Sequence, residues 1–175
     1  MFALKFVIKK MCDFIKSMLK KFRDSAVEFR QNLQGLVMSD FRVRIYYEDT
    51  DCGGIVYHTN YIKYCERARS EIFFREYAMP NTDSIGLVVR KINAEFLDSA
   101  RLGDLLSVRT RILKLGGSSL TLKQEIFLVD SCKSCEFSGE KLIFTCEVKL
   151  ACIDIKRKKI AKIPPQILAI LQSKF

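Results

Sequence analysis

The sequence predicts an α+β domain in which one long helix packs against a five-stranded, largely antiparallel sheet. Two observations lead there. A short alternating stretch, "FRVRIYYE", is followed by a single long helical pattern, "NYIKYCERARSEIFFREYA". Four consecutive strand-like stretches come next with turn residues between them, an order that describes α+β architecture rather than alternating βαβ units. The 175 residues, 49% hydrophobic and 29% charged, supply one sizeable core and a soluble surface.

The chain opens with "MFALKFVIKKMCDFIKSMLKKFR", whose apolar residues Leu4, Val7, Met11, Phe14, Ile15, Met18 and Phe22 recur at steps of three and four. Lysines mostly fall between them, so residues 1–23 read as a basic amphipathic helix. Residues 1–37 carry half of the net charge of +10. Three roles fit this extension: a peripheral anchor on anionic lipid, a helix docked on its own domain, or a segment upstream of a true or alternative start at Met38. The division expected is an extension over 1–37 and a main domain over 38–175.

From Phe41 to Glu48 apolar and polar residues alternate as in a strand. A loop, Asp49–His58, leads into the helix, whose apolar set Tyr61, Ile62, Tyr64, Cys65, Ala68, Ile72, Phe73 and Tyr77 follows 3.6-residue spacing. The four later strands run roughly Gly86–Ala100, Asp104–Lys114, Ser119–Val129 and Lys141–Ile153, separated by "RLG", "GGS" and "SCKSCEFSGE". "SVRTRILKL" and "LTLKQEIFL" alternate strictly enough to bury one face each. "PPQILAILQSKF" reads as a terminal helix started by its prolines. One helix cannot cover both sheet faces and both edges, so a homodimer or homotetramer is expected.

Seven scattered cysteines, an odd number, argue against a secreted disulfide framework. No export signal is apparent, and no stretch approaches the roughly 18 apolar residues of a membrane span. The expected location is the cytoplasm, with possible contact at the inner membrane face through residues 1–23. No nucleic-acid partner is expected, because the lysines sit on a helix whose other face is apolar and no recognition module accompanies them.

The chemistry concentrates in "DTDCGGIVYHTN", which holds Asp49, Asp51 and the only histidine, His58. Gly53 and Gly54 let the chain turn tightly or approach a ligand. A helix begins next, with Thr59 or Asn60 as acceptable N-caps, and its first N–H groups lack intrahelical partners. Those amides stabilise a carbonyl oxygen gaining negative charge, an effect worth about 3 kcal/mol per donor. A neighbouring carboxylate attacks the carbonyl carbon or deprotonates water. Together they form a minimal apparatus for hydrolysing an activated acyl group, above all a thioester.

"YYEDTDCGGIVYHTNYIKYCERARSEIFF" closely resembles the signature of the 4-hydroxybenzoyl-CoA thioesterase family, especially its Tol-Pal-associated acyl-CoA thioesterase branch, and the likeness extends through "FLDSARLGDLLSVRTRI". The resemblance covers about Phe41–Ile155. It implies a hotdog fold, hydrolysis of acyl-CoA to free acid and CoA in fatty acid or phospholipid metabolism, and no metal or redox cofactor. It assigns Asp51 as catalytic nucleophile or general base. The backbone N–H of His58 polarises the carbonyl, and its side chain assists. Tyr47, on the strand entering the loop, stands near the site. Cys52 departs from the alanine, serine or proline usual in the family.

Other readings compete. Asp49 suits a structural role, satisfying loop N–H groups. Cys52 with His58 suggests a thiol–base dyad, but nothing in the sequence orients the imidazole. Asp49-x-Asp51 as a Mg²⁺ site lacks the downstream acidic and lysine motifs. Cys132–Cys135 has zinc-like spacing without two further ligands. For the phosphates of CoA the candidates are Arg90, Lys91, Ser118 and Ser119, with Arg101 and Lys114 near turns. A hotdog dehydratase acting on acyl carrier protein is the near alternative, though the Asp-first loop matches the thioesterase pattern. The rival class is a peripheral membrane module that binds acyl carriers, including acyl carrier protein, without hydrolysis.

Overall fold

The computed structural model describes residues 37–82, 84–131 and 139–173. The basic helix expected over 1–23 and the Cys132–Cys135 pair lie outside them. β1 (Val37–Arg44) is followed by a 3₁₀ turn (Tyr47–Asp49) and the long helix α1 (His58–Phe74). β2 (Asn81–Thr82), β3 (Ile85–Phe96), β4 (Leu105–Leu115), β5 (Ser119–Asp130), β6 (Lys141–Asp154) and β7 (Lys159–Ile160) complete the sheet, and α2 (Pro165–Gln172) ends the fold.

The sheet order is β1-β4-β5-β6-β3-β2, with β7 on β6, and every pairing is antiparallel. This is a hotdog: five long strands curl around α1. The expected class holds, while the strand count rises from five to seven because two-residue strands extend the sheet at β2 and β7. Such short pairings leave no periodic signal in sequence. The helix presents Tyr61, Tyr64, Cys65, Ala68, Ile72 and Phe73 to a core built from Leu106, Val108, Ile112, Leu122, Ile126, Phe144 and Val148. Strict alternation in β4 and β5 sends these side chains inward and Arg109, Arg111, Lys123 and Glu125 outward.

Four local expectations are corrected. Tyr77 is fully exposed at φ 53°, beyond the end of α1, because the helix stops at Phe74 before that residue can return to the core face. Tyr47 sits in the 3₁₀ turn rather than on a strand, since β1 ends at Arg44. Thr59 and Asn60 are inside the helix, whose N-cap is Tyr57 with no side-chain cap. β3 stops at Phe96, where Leu97 and Asp98 both donate their N–H to the Ile143 carbonyl at 2.9 and 3.0 Å and turn the chain away from the ladder.

β3 lies near the end of the sheet, and only Ile85 and Gly86 pair with β2. The rest of that edge carries the exposed Val89 and Phe96. Among the described residues no helix is long and apolar enough to cross a membrane.

Candidate active site

The loop before α1 is closed by hydrogen bonds. Thr50 bridges Val56, and the Asp51 N–H donates to the Ile55 carbonyl at 2.9 Å. Gly54 takes φ +72°, where a side chain is strained, so glycine here is a requirement of the turn. Gly53 donates its N–H to Asp51 Oδ1 at 2.8 Å, and a Cβ at Gly53 would stand 3.1 Å from that same oxygen. The glycine pair therefore holds the Asp51 carboxylate in one place. The loop is pinned to the segment after β3 by Ile55 pairing with Arg101 and by Val56 N–H on the Ala100 carbonyl at 2.9 Å.

Asp49 is the structural carboxylate of the pair. It is 5% exposed and its Oδ2 accepts the Tyr46 N–H at 3.0 Å. Its carbonyl accepts both the Tyr57 N–H and Asn60 Nδ2, each at 2.9 Å, which ties the helix start to the loop. The Tyr64 hydroxyl is buried beside it without a hydrogen bond of good geometry. Burial first, then the Asp49 carboxylate, pushes that phenol far above its ordinary value.

His58 is the first helical residue, and among the described residues its N–H has no acceptor. The seventeen residues of α1 place the positive end of their dipole at that amide. His58 also lines a groove of about 390 Å³ with Ile55, Val56, Tyr61, Phe96, Asp98 and Ser99 among its walls. Tyr61 forms its floor. The Tyr61 hydroxyl accepts the Ala100 N–H at 2.9 Å, and its ring stacks on Phe144 at 5.4 Å between centroids. Burial raises the Tyr61 phenol, helped by Asp98 and Asp104 and opposed by the Ala100 hydrogen bond. The imidazole packs against Tyr57 at 4.4 Å and edge-on to Phe96 at 6.4 Å, so aromatic neighbours rather than a carboxylate orient it. At the rim, Lys141 and the Ser99 N–H hold the Asp98 carboxyl below the usual carboxylate range.

The chain brings some of the expected residues together and separates others. His58 lines the groove, and the Asp51–Gly53–Gly54 loop lies next to its Ile55–Val56 wall, but Asp51 is not itself among the lining residues. Tyr47 is 83% exposed on the 3₁₀ turn and does not line the groove either. Arg90 is the extra residue of a β-bulge between Val89 and Lys91, about 20 Å along β3 from Phe96 at ordinary strand rise. Ser118 and Ser119 stand at the far end of the sheet, level with Ala151 and Val88. Within one chain neither pair reaches the groove. Cys52 is exposed on the loop, and among the described residues no cluster of ligands fit for a metal exists. Sequence reading missed Tyr61, Phe96 and Asp98. Tyr61 was legible, because a residue three after His58 shares its helix face; the other two reach the groove only through the turn after β3.

Comparison with known proteins agrees with this architecture. Residues 45–171 match the thioesterase-like superfamily model. The chain is 42% identical over 113 residues to an acyl-CoA thioesterase YbgC of Helicobacter pylori, covering 65% of this chain and 84% of that protein. It is 36% identical over 131 residues to the acyl-CoA thioester hydrolase YbgC of Escherichia coli, covering 73% and 90%. A probable thioesterase from Bartonella henselae superposes with TM-score 0.58 at 31% identity over 72% of this chain and 97% of that one. A 4-hydroxybenzoyl-CoA thioesterase complexed with 4-hydroxybenzoyl-CoA shares the fold, with TM-score 0.64 at 18% identity over 76% and 97%. A tight Asp-Cys-Gly-Gly loop feeding an uncapped helix, cradled in a hotdog sheet, is thus found together with sequence identity over most of the domain, and the chain belongs to the thioesterase-like superfamily.

Proposed function

We propose that this protein hydrolyses acyl-CoA thioesters to the free acid and CoA. The observation that carries the reading is the unclaimed His58 N–H at the positive end of α1, on the wall of a groove large enough for an acyl group. The thioester oxygen accepts that N–H and the developing charge is stabilised by about 3 kcal/mol. Asp51 then takes a proton from water as the water oxygen adds to the acyl carbon. Alternatively, its own oxygen adds and the resulting anhydride is opened by water. In either course the C–S bond breaks, its electron pair leaves on sulfur, one water is consumed, and CoA departs as thiolate. The similarity to acyl-CoA thioesterases supports acyl-CoA as the carrier; acyl carrier protein is the second carrier to test.

The working unit is a homodimer joined at the open edge of β3. The groove lies at the end of that strand, between Phe96–Ser99 and the start of α1, so a second copy on this edge closes it. Closure is also what would bring Arg90 and Lys91 of one copy toward the groove of the other, where they would meet the phosphates of CoA. The cytoplasm suits this substrate, and none of the four described cysteines forms a disulfide.

Release of free thiol from a panel of acyl-CoAs, followed with a thiol-reactive dye, tests the reading. Asp51→Asn is expected to fold normally and lose at least about a hundredfold in kcat. Retention of more than a tenth of the rate removes Asp51 from the chemistry, and binding of acyl-CoA without release by the unaltered protein removes the enzyme reading.

A further inference from the structure

Arg69 is a charged residue on α1's core face that hydrophobic periodicity cannot explain. It is 9% exposed, and its Nη1 donates to Gln124 Oε1 at 2.6 Å. Gln124 is itself fully buried, and its Nε2 donates to the Cys65 carbonyl and to Thr110 Oγ1, both at 2.9 Å. With both amide hydrogens committed, the Gln124 oxygen is forced to face the guanidinium. The arginine is therefore held at Nη1 by an amide whose own donors are both engaged. Among the described residues it makes no ion pair. Its hydrogen bond goes to a neutral amide, while the nearby Glu66 carboxylate favours its charge without forming an ion pair, so the buried cation is only partly compensated.

Beside it lies a cavity of about 150 Å³ whose walls include Leu87, Leu120, Leu122, Leu150 and Leu171. It sits under the C-terminal half of α1, and its lining shares no residue with the His58 groove. Arg69 forms part of its wall, with Glu66 and Ser70 on the same stretch of helix. The Glu66 carboxylate accepts the Ser70 hydroxyl at 2.7 Å instead of pairing with Arg69. The cavity thus has the Arg69 side chain at one side, beside Glu66 and Ser70, and apolar side chains around the rest.

We infer that this cavity binds a small carboxylic acid, its carboxylate on the Arg69 guanidinium and its hydrocarbon tail among the leucines. An apolar cavity of this volume holds a molecule the size of benzene, which sets the tail at about three to five carbons. A planar guanidinium pairs with a carboxylate through two parallel hydrogen bonds, a geometry an alcohol cannot reproduce. The inference is independent of the thioesterase reading, although the ligand class is that of the free acid such a reaction releases.

Sodium hexanoate is the probe and hexan-1-ol its uncharged control. Hexanoate is expected to give a saturable shift of the Arg69 Nε–Hε resonance in ¹⁵N-labelled protein, with hexanol binding at least about tenfold more weakly. His58 supplies the only imidazole signal in the chain, so it reports the groove separately. Arg69→Met, an apolar replacement of similar length, should abolish the hexanoate-dependent rise in Tm while keeping the far-ultraviolet spectrum. Should that variant fail to fold, the acid-against-alcohol comparison on the unaltered chain decides. Equal affinity for acid and alcohol, a shift at His58 with Arg69 unmoved, or no saturable binding of hexanoate overturns the inference.

Discussion

At His58 the backbone and the side chain make separable contributions. In the proposed reaction the N–H serves the carbonyl oxygen of the substrate, whereas the ring packs on Tyr57 and Phe96. His58→Ala keeps the amide and is expected to lower kcat by about tenfold or less. His58→Pro deletes it. Proline is well tolerated at the first helical position, and Tyr57 already has the extended backbone (φ −61°, ψ 131°) that a following proline demands. The proline variant should therefore fold, yet lose about a further hundredfold in kcat, the worth of one oxyanion donor. Equal rates for the two variants would mean that the amide plays no part. The buried phenols carry a second prediction. Tyr61 and Tyr64 both have raised folded-state values. The unfolded chain releases such protons from about pH 10, while the native core keeps them. The native state binds more protons in that window, so stability present below about pH 10 falls as pH climbs toward the folded values. Denaturant midpoints measured between pH 9 and 11 should drop, and Tyr64→Phe should flatten the slope.

At the scale of elements, α1 serves three purposes along its length. Its first turn supplies the free amide, its middle buries aromatic rings, and its second half inserts Arg69 into the core. The pattern of apolar residues located the helix and its buried face, Tyr77 excepted. It left Arg69 outside the buried set, because periodicity ranks side chains by hydropathy and cannot see that Gln124 on β5 waits opposite. Replacing Gln124 with leucine leaves the guanidinium without its neutral partner and Thr110 and the Cys65 carbonyl without a donor. A loss of about 2–3 kcal/mol is expected, measured as a lowered urea midpoint with unchanged m-value. Preserved stability would show that water replaces the amide.

For the whole molecule, the question is what covers β3. Among the described residues its outer edge pairs only at Ile85 and Gly86, with β2, and exposed Val89 and Phe96 line the strand. Two copies meeting there antiparallel would bury both edges at once, which is the isologous arrangement a two-fold axis imposes. Each substitution on such an interface appears twice. Val89→Asp should therefore place two carboxylates near one another, shift the mass seen by light scattering toward the monomer, and reduce thioester hydrolysis in step, since the groove loses its cover. A dimer that survives Val89→Asp unchanged would place the interface elsewhere.

Local chemistry, written in a few consecutive residues, determined the α+β order, the long helix, the tight Asp-Cys-Gly-Gly turn and the presence of unpaired helix amides just after it. These depend on periodicity, glycine conformations and unpaired helix amides, all of which are short-range. The groove itself was decided by the tertiary structure: Tyr61, Phe96 and Asp98 meet because Leu97 and Asp98 share one carbonyl and swing the chain off β3 toward the loop. So was the separation of Tyr47, Ser118 and Ser119 from it, and the pairing of Arg69 with Gln124 across 55 residues of chain. Contacts of that kind are set by strand register and sheet curvature, and no stretch of sequence contains both partners.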